Sequence, residues 1–195
     1  LTPAQNAQKY YKRYAKLKRT AAALAVQRKD TEDEQAYLAS IRCSLERADD
    51  ILDFEEAETE LASLGLIKTE NQPKKKKKES PKATLRRYEC EGFTIIAGRN
   101  NMQNERLTKG LSERDIWLHT QKYHSSHVAI LSGGREVPES VIKVAAEICA
   151  YYSEARGGNK VPVAYTFKKF VKKPSGAKPG FVVYTDYKTA LALPE

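Results

Sequence analysis

Three histidines stand within nine residues of this chain: His119, His124 and His127, in the stretch DIWLHTQKYHSSHVAI at 115–130. The only tryptophan, Trp117, lies beside them. Such a group can bind a metal, move a proton or meet a nucleic acid. A zinc site needs three or four ligands converging on one point, usually with cysteines or a helical H-E-x-x-H pair. The spacing here is H-x4-H-x2-H across a strand, a loop and a second strand, with no cysteine near in sequence. It matches no established ligand template, and no metal is expected. Ser125 and Ser126 lie between His124 and His127, but no G-x-S-x-G elbow surrounds them, and the chain holds no P-loop or dinucleotide fingerprint. No catalytic residue and no cofactor are assigned. An RNA-modifying enzyme working through the histidines stays as an alternative.

Alternation along DIWLH puts Ile116 and Leu118 on one face and Asp115, Trp117 and His119 on the other. If the second face is open, its rings beside a basic loop form a platform for unpaired bases. If it is covered, Trp117 is core, as large aromatics usually are. Two further stretches suit RNA. GRNNMQNE at 98–105 gathers Arg99, Asn100 and Asn104. Amides bond to phosphates and base edges, and a guanidinium grips phosphate bidentately. The competing reading is that these Asn side chains cap turns and helix starts. Around Phe170 stand Lys168, Lys169, Lys172, Lys173 and Lys178, five lysines in eleven residues. That exceeds what solubility needs and suits a phosphate-contacting surface. With Trp117, His119 and His127, these residues form the candidate RNA-binding set.

The charge balance agrees. The chain of 195 residues carries a net +9, but residues 1–70 hold 11 Lys/Arg against 13 Asp/Glu, and residues 71–195 hold 23 against 12. The C-terminal part attracts a polyanion, with nucleic acid ahead of an anionic membrane surface. Leu1 in place of an initiator Met is read as the start of a fragment. No signal peptide and no run able to cross a bilayer is seen. Cys43, Cys90 and Cys149 are odd in number, widely spaced and without a C-x-x-C pair, which fits a reducing cytoplasm.

The elements that position these groups are read as an α+β arrangement in three parts. Residues 1–68 are expected to form an antiparallel helical coiled-coil hairpin. Thr2, Pro3 and Gln5 make a helix start, and Tyr10, Tyr14, Leu17, Ala21 and Leu24 follow at heptad steps. A second start is expected at Thr31 with Glu34, continued by Leu38, Ile41, Leu45, Ala48 and Leu52 and stopped at Gly65. Residues 9–29 hold eight Lys/Arg and no acid, whereas 30–60 hold twelve acids, so the two arms would pair by charge. Those charges either serve the partner helix or add an RNA contact. Residues 69–82, with five consecutive lysines and two prolines, form a linker, either a soluble spacer or a phosphate-seeking tether. Residues 83–195 form a mixed α/β domain with a central sheet and one main helix. A hairpin turns at Glu91-Gly92, and a short helix covers NMQNERLTKGL. Strands are expected at DIWLHT, HVAILS, VPVAYTF, GFVVYTD and 189–193, and the main helix runs from Pro138 to Gly157-Gly158.

In order along the chain, NAQKYYKRYAKLKR, GFTIIAGRNNMQNERLT, DIWLHT, SHV, AAEICAYYSEAR, KVPVAYT and KPGFVVY resemble the C-terminal part of the NFACT family. That family includes ribosome-quality-control proteins and the fibronectin-binding protein A-like proteins of Gram-positive bacteria. The resemblance departs from the family pattern at His124-Ser125, where Pro-Gly is usual, and at Lys109-Gly110-Leu111. It implies a coiled coil followed by the RNA-binding NFACT-R domain. It also implies partners: the large ribosomal subunit with stalled peptidyl-tRNA, rRNA, and tRNA recruited for C-terminal alanine tailing. Peptide bonds would then be made by the ribosome, so the chain is expected not to be an enzyme. The location implied is cytoplasmic, without membrane insertion. The rival is a fibronectin-binding surface adhesin, reaching the cell surface without a signal peptide.

Overall fold

The computed structural model describes residues 1–48, 50–68 and 84–194, so the linker expected at 69–82 lies outside the described residues. The chain opens on one long helix, α1 (Pro3–Leu45). Its start is the expected capping box: the Thr2 N–H donates to Gln5 Oε1 at 2.9 Å, and the Gln5 N–H donates to Thr2 Oγ1 at 3.3 Å. The second start expected at Thr31 is not there. The helix runs through it, with the Thr31 hydroxyl donating to the Gln27 carbonyl at 2.9 Å and Arg28 pairing with Glu32 at 2.8 Å one turn on. No Gly or Pro stands near residue 30 to interrupt the backbone ladder there. Basic 9–29 and acidic 30–39 follow one another along a single helix instead of lying side by side.

The break comes later, after Leu45. Asp50 takes the cap position, its carboxylate accepts from the Leu52 N–H at 3.3 Å, and α2 (Ile51–Ser63) begins. The stop before Gly65 is as expected. The Gly65 N–H donates to the Ala62 carbonyl at 3.0 Å and the Leu66 N–H to that of Leu61 at 3.1 Å.

The chain divides into two compact units, Leu1–Ala39 and Ser40–Glu195. In the first, Tyr10, Tyr14, Leu17 and Leu24 of the heptad seam are each more than half exposed.

The second unit carries the sheet. Strands β1 (Arg86–Cys90), β2 (Phe93–Ala97), β3 (Ile116–Thr120), β4 (Val128–Leu131), β5 (Val161–Phe167) and β8 (Lys188–Ala192) join in the order β1-β2-β4-β3-β5-β8. All the pairings are antiparallel. The first hairpin turns where expected, with Glu91 at φ 47 and Gly92 at φ 74, the two left-handed positions a tight two-residue turn requires.

Helix α4 (Glu139–Tyr151) lies on one face. Its Val141, Ala145, Ala146, Cys149 and Ala150 pack with Ile95, Ile116, Leu118, Val128, Ile130, Val161 and Val163 into a dry core. Burying each Val, Ile or Leu side chain stabilises the fold by about 1.5–3 kcal/mol. The helix ends six residues before the expected Gly157. The Tyr152 carbonyl accepts from the Ser126 N–H at 3.1 Å, the Glu154 N–H donates to the His124 carbonyl at 3.0 Å, and Ser125 bridges Ser153. The backbone groups that a further turn would use are bonded to the β3–β4 loop instead.

The other face of the sheet carries α3 (Asn101–Gly110) and a two-stranded ribbon of β6 (Val171–Lys172) and β7 (Val183–Tyr184). A single 3-10 turn (Lys168–Phe170) joins β5 to β6. The long basic loop expected between VPVAYTF and GFVVYTD is thus partly this ribbon. The three cysteines are free thiols, and no helix among the described residues is long and apolar enough to cross a membrane.

Candidate nucleic-acid interface

Helix α3 starts at the amide-rich stretch. Asn100 is its N-cap: Oδ1 accepts from the Gln103 N–H at 2.9 Å. Carboxylates of α2 engage the remaining donors. Asn100 Nδ2 and Gln103 Nε2 both donate to Glu56 Oε2, at 2.5 and 2.8 Å. Arg106 pairs with Glu56 Oε1 at 2.5 Å, and Asn101 Nδ2 donates to Glu60 Oε1 at 3.0 Å and to Ser40 Oγ at 2.9 Å. Arg99 pairs with Asp53 Oδ2 at 3.1 Å and donates through Nε to the Thr84 carbonyl at 3.0 Å. Asp53 and Glu60 are buried, and Arg99 and Asn101 partner acids that would be costly to bury alone. Asn104 points the other way, its Oδ1 accepting from the His127 N–H at 3.0 Å. Asn100 and Asn104 are 2% and 5% exposed. The amides expected to meet RNA here tie α2, α3 and the sheet together.

Trp117 and His119, expected on one face, do share it, and His127 joins them there. Trp117 stacks on His119 with centroids 5.7 Å apart and an interplanar angle of 4°, while His127 meets Trp117 edge-on at 5.1 Å and His119 at 5.3 Å. The face is covered. Tyr184 of β7 lies against Trp117 at 5.1 Å, and Trp117 is 0% exposed. The ribbon seats there because Gly180, at φ +76, lets the backbone approach Asn101; a Cβ at that position would stand 3.1–3.2 Å from Asn101 atoms.

The histidines are held neutral. His119 donates from Nδ1 to the Thr120 carbonyl at 2.7 Å, and burial pushes it down to about 4. The Thr108 hydroxyl donates to the Asn104 carbonyl at 2.8 Å and so accepts from His127 Nδ1 at 2.8 Å. Burial holds His127 well below its usual range, with the neighbouring His119 acting in the same direction. His124 stands apart on the loop, its N–H donating to Glu154 Oε2 at 3.3 Å. Among the described residues no three His, Cys, Asp or Glu side chains gather as a metal site.

The lysines of the last predicted stretch are spread differently. Lys173 is paired with Glu105 at 2.6 Å, and its partner carboxylate also holds Lys109. Lys169 lies over the rings of Phe170 and Phe167, at 4.8 and 5.6 Å from their centroids. Lys172 is exposed on β6, while Lys168, before β6, and Lys178, between β6 and β7, are half-buried. In the segment 167–187, exposed side chains that the sequence reading did not single out include Phe167, Phe181, Val183 and Tyr187, each near half exposed. The alternation in GFVVYT was the available signal, since it separates Phe181 and Val183 from Val182 and Tyr184.

Two family models match the chain: NFACT N-terminal and middle domains over residues 1–80, and the NFACT protein RNA binding domain over residues 82–186. Among curated proteins, the chain is 39% identical to "Rqc2 homolog RqcH" of Bacillus subtilis (strain 168), over 100% of this chain and 34% of that protein. It is 38% identical to the protein of the same name from Streptococcus pneumoniae (strain ATCC BAA-255 / R6), over 100% of this chain and 35% of the relative. It spans about a third of the length of these relatives. Among solved structures, the C-terminal part of the fibronectin/fibrinogen-binding protein from Streptococcus suis matches with a TM-score of 0.88 at 33% identity. That match covers 100% of this chain and 77% of the solved chain.

Proposed function

Because the chain belongs to the NFACT family, we propose that it supplies RNA and ribosome contacts to a quality-control factor. In this reading the full protein works in the cytoplasm, in protein synthesis. It engages large ribosomal subunits that hold a stalled peptidyl-tRNA and recruits tRNA for C-terminal alanine tailing of the nascent chain. The chain itself is a binding module and not an enzyme; the ribosome makes the peptide bonds. The observation that carries this is the basic ribbon at 168–178, which lies within the segment matching the RNA binding domain.

Lys168, Lys169 and Lys172 are the contacts this reading favours. In this reading the buried Trp117 and His127 support the ribbon from beneath. The test is binding of the chain to purified large subunits, with and without peptidyl-tRNA, across a salt series. Reversing Lys168, Lys169 and Lys172 to Glu is expected to weaken binding and lower the salt slope by roughly 0.7–0.9 per lost phosphate contact. Unchanged affinity and slope would remove the ribbon from the interface. A second reading rests on the solved relative from Streptococcus suis, whose name records fibronectin/fibrinogen binding. Fibronectin is therefore the parallel ligand, and saturable binding to it without subunit binding would favour the adhesin.

A further inference from the structure

The outer side of the β6–β7 ribbon carries exposed apolar side chains beside lysines. Val171 pairs with Tyr184, and Lys172 pairs with Val183. The first pair faces inward, where Tyr184 covers Trp117. The second pair faces outward. Exposure alternates along 181–184, with Phe181 at 56% and Val183 at 49% and Val182 and Tyr184 more covered; Phe181 stands just before the strand, its N–H donating to the Lys178 carbonyl. A few residues upstream, Phe167 is 47% exposed beneath the ammonium of Lys169. Single exposed apolar residues are ordinary; a phenylalanine and a valine side by side, flanked by lysines on a small ribbon, make a ring surface with positive charge at its border.

We propose that this outer side is a stacking surface for unpaired RNA bases, with Phe181 as the ring on which a base lies and Lys172 on the adjoining phosphate. The proposal rests on the RNA-binding reading above and adds to it a ligand class, single-stranded segments and loops as against duplex. Stacking on an aromatic ring needs an exposed face and tolerates any base, while nearby lysines hold the backbone. Duplex RNA keeps its bases stacked on each other and offers such a ring nothing but phosphates. The buried Trp117–His119 pair, the other stacked rings on this side of the sheet, is closed off by the same ribbon and supports it from below.

The test compares a fluorescein-labelled single-stranded RNA 12-mer with a hairpin duplex of equal phosphate count, by anisotropy at two salt concentrations. The proteins are the full chain, Phe181→Ala, Phe181→Tyr and Lys172→Glu, each checked for an unchanged Trp117 emission maximum. The parent chain is expected to prefer the single strand. Phe181→Ala is expected to lose about tenfold in single-strand affinity with the duplex unaffected, and Phe181→Tyr to restore it. Lys172→Glu is expected to weaken both. Equal loss on both RNAs, or none, with Phe181→Ala while Lys172→Glu still weakens both, would overturn the stacking surface and leave the charge-based reading standing. Absence of binding to either RNA by the parent chain would overturn the RNA-binding reading itself. Fibronectin binding that falls with Phe181→Ala while RNA binding does not would assign the surface to protein.

Discussion

Acid should loosen the second unit well before its carboxylates are protonated, because half-buried His119 and buried His127 are held uncharged. His119 has an ordinary value of 6.5 in an unfolded chain and is pushed down to about 4 by burial. Between those two values the unfolded chain binds the proton and the folded one does not. Stability therefore rises with pH across this window and is lost as pH falls through it. The loss approaches about 1.4 kcal/mol per pH unit. From pH 7 to pH 5, His119 alone should remove about 2 kcal/mol. His127, 3% exposed and shifted in the same direction, adds to the loss.

The assay is equilibrium urea unfolding at pH 7, 6 and 5, followed by fluorescence. Trp117 is the only tryptophan, 0% exposed, and stacked on His119, so its emission reports the unfolding of this unit. His119→Gln keeps a donor for the Thr120 carbonyl but does not titrate. The difference between the two proteins' pH profiles isolates the histidine from carboxylates whose protonation both share. A parent profile flat from pH 7 to pH 5, or one whose slope is unchanged in His119→Gln, would refute the assignment of a neutral buried imidazole.

Two substitutions test the joints around the ring cluster. A Cβ at Gly98 would stand 2.2 Å from Asn104 Oδ1, 3.0 Å from its N and 3.2 Å from its Cα. Gly98→Ala should therefore push α3 away from the sheet and break the Asn104–His127 bond, with a loss of about 2 kcal/mol or more in urea unfolding; a loss below about 0.5 kcal/mol would show the site to be slack. Asp53→Ala should remove the ion pair to Arg99, whose side chain is 20% exposed, and cost about 3 kcal/mol of stability. The same change is expected to leave RNA affinity near the parent value in conditions where the protein is folded, and a gain in affinity would show that Asp53 masks a phosphate site at Arg99.

Local signals alone determined much of this chain. The Thr2–Gln5 capping box, the Glu91-Gly92 turn, the stop at Gly65 and the alternation that put Trp117 and His119 opposite Ile116 and Leu118 are written over a few residues each. Each obeys rules of backbone geometry that need no distant partner. Family membership was also legible, because seven short segments match in order over most of the chain. One local signal misled. Thr31 with Glu34 reads as a helix start, but the helix passes through it, the Thr31 hydroxyl turning back to the Gln27 carbonyl. The second helix starts at Asp50, which the sequence reading did not single out.

Tertiary structure alone decided the fate of the candidate site. Whether Asn100 meets a phosphate or Glu56, and whether Trp117 meets a base or Tyr184, depends on which segment packs against it from forty or more residues away. Burial made the same choice for the histidines: a face that alternation could define became a neutral, covered cluster once the β6–β7 ribbon lay over it. The surface left open is the ribbon's far side, where Phe181 and Lys172 point away from everything the fold needs.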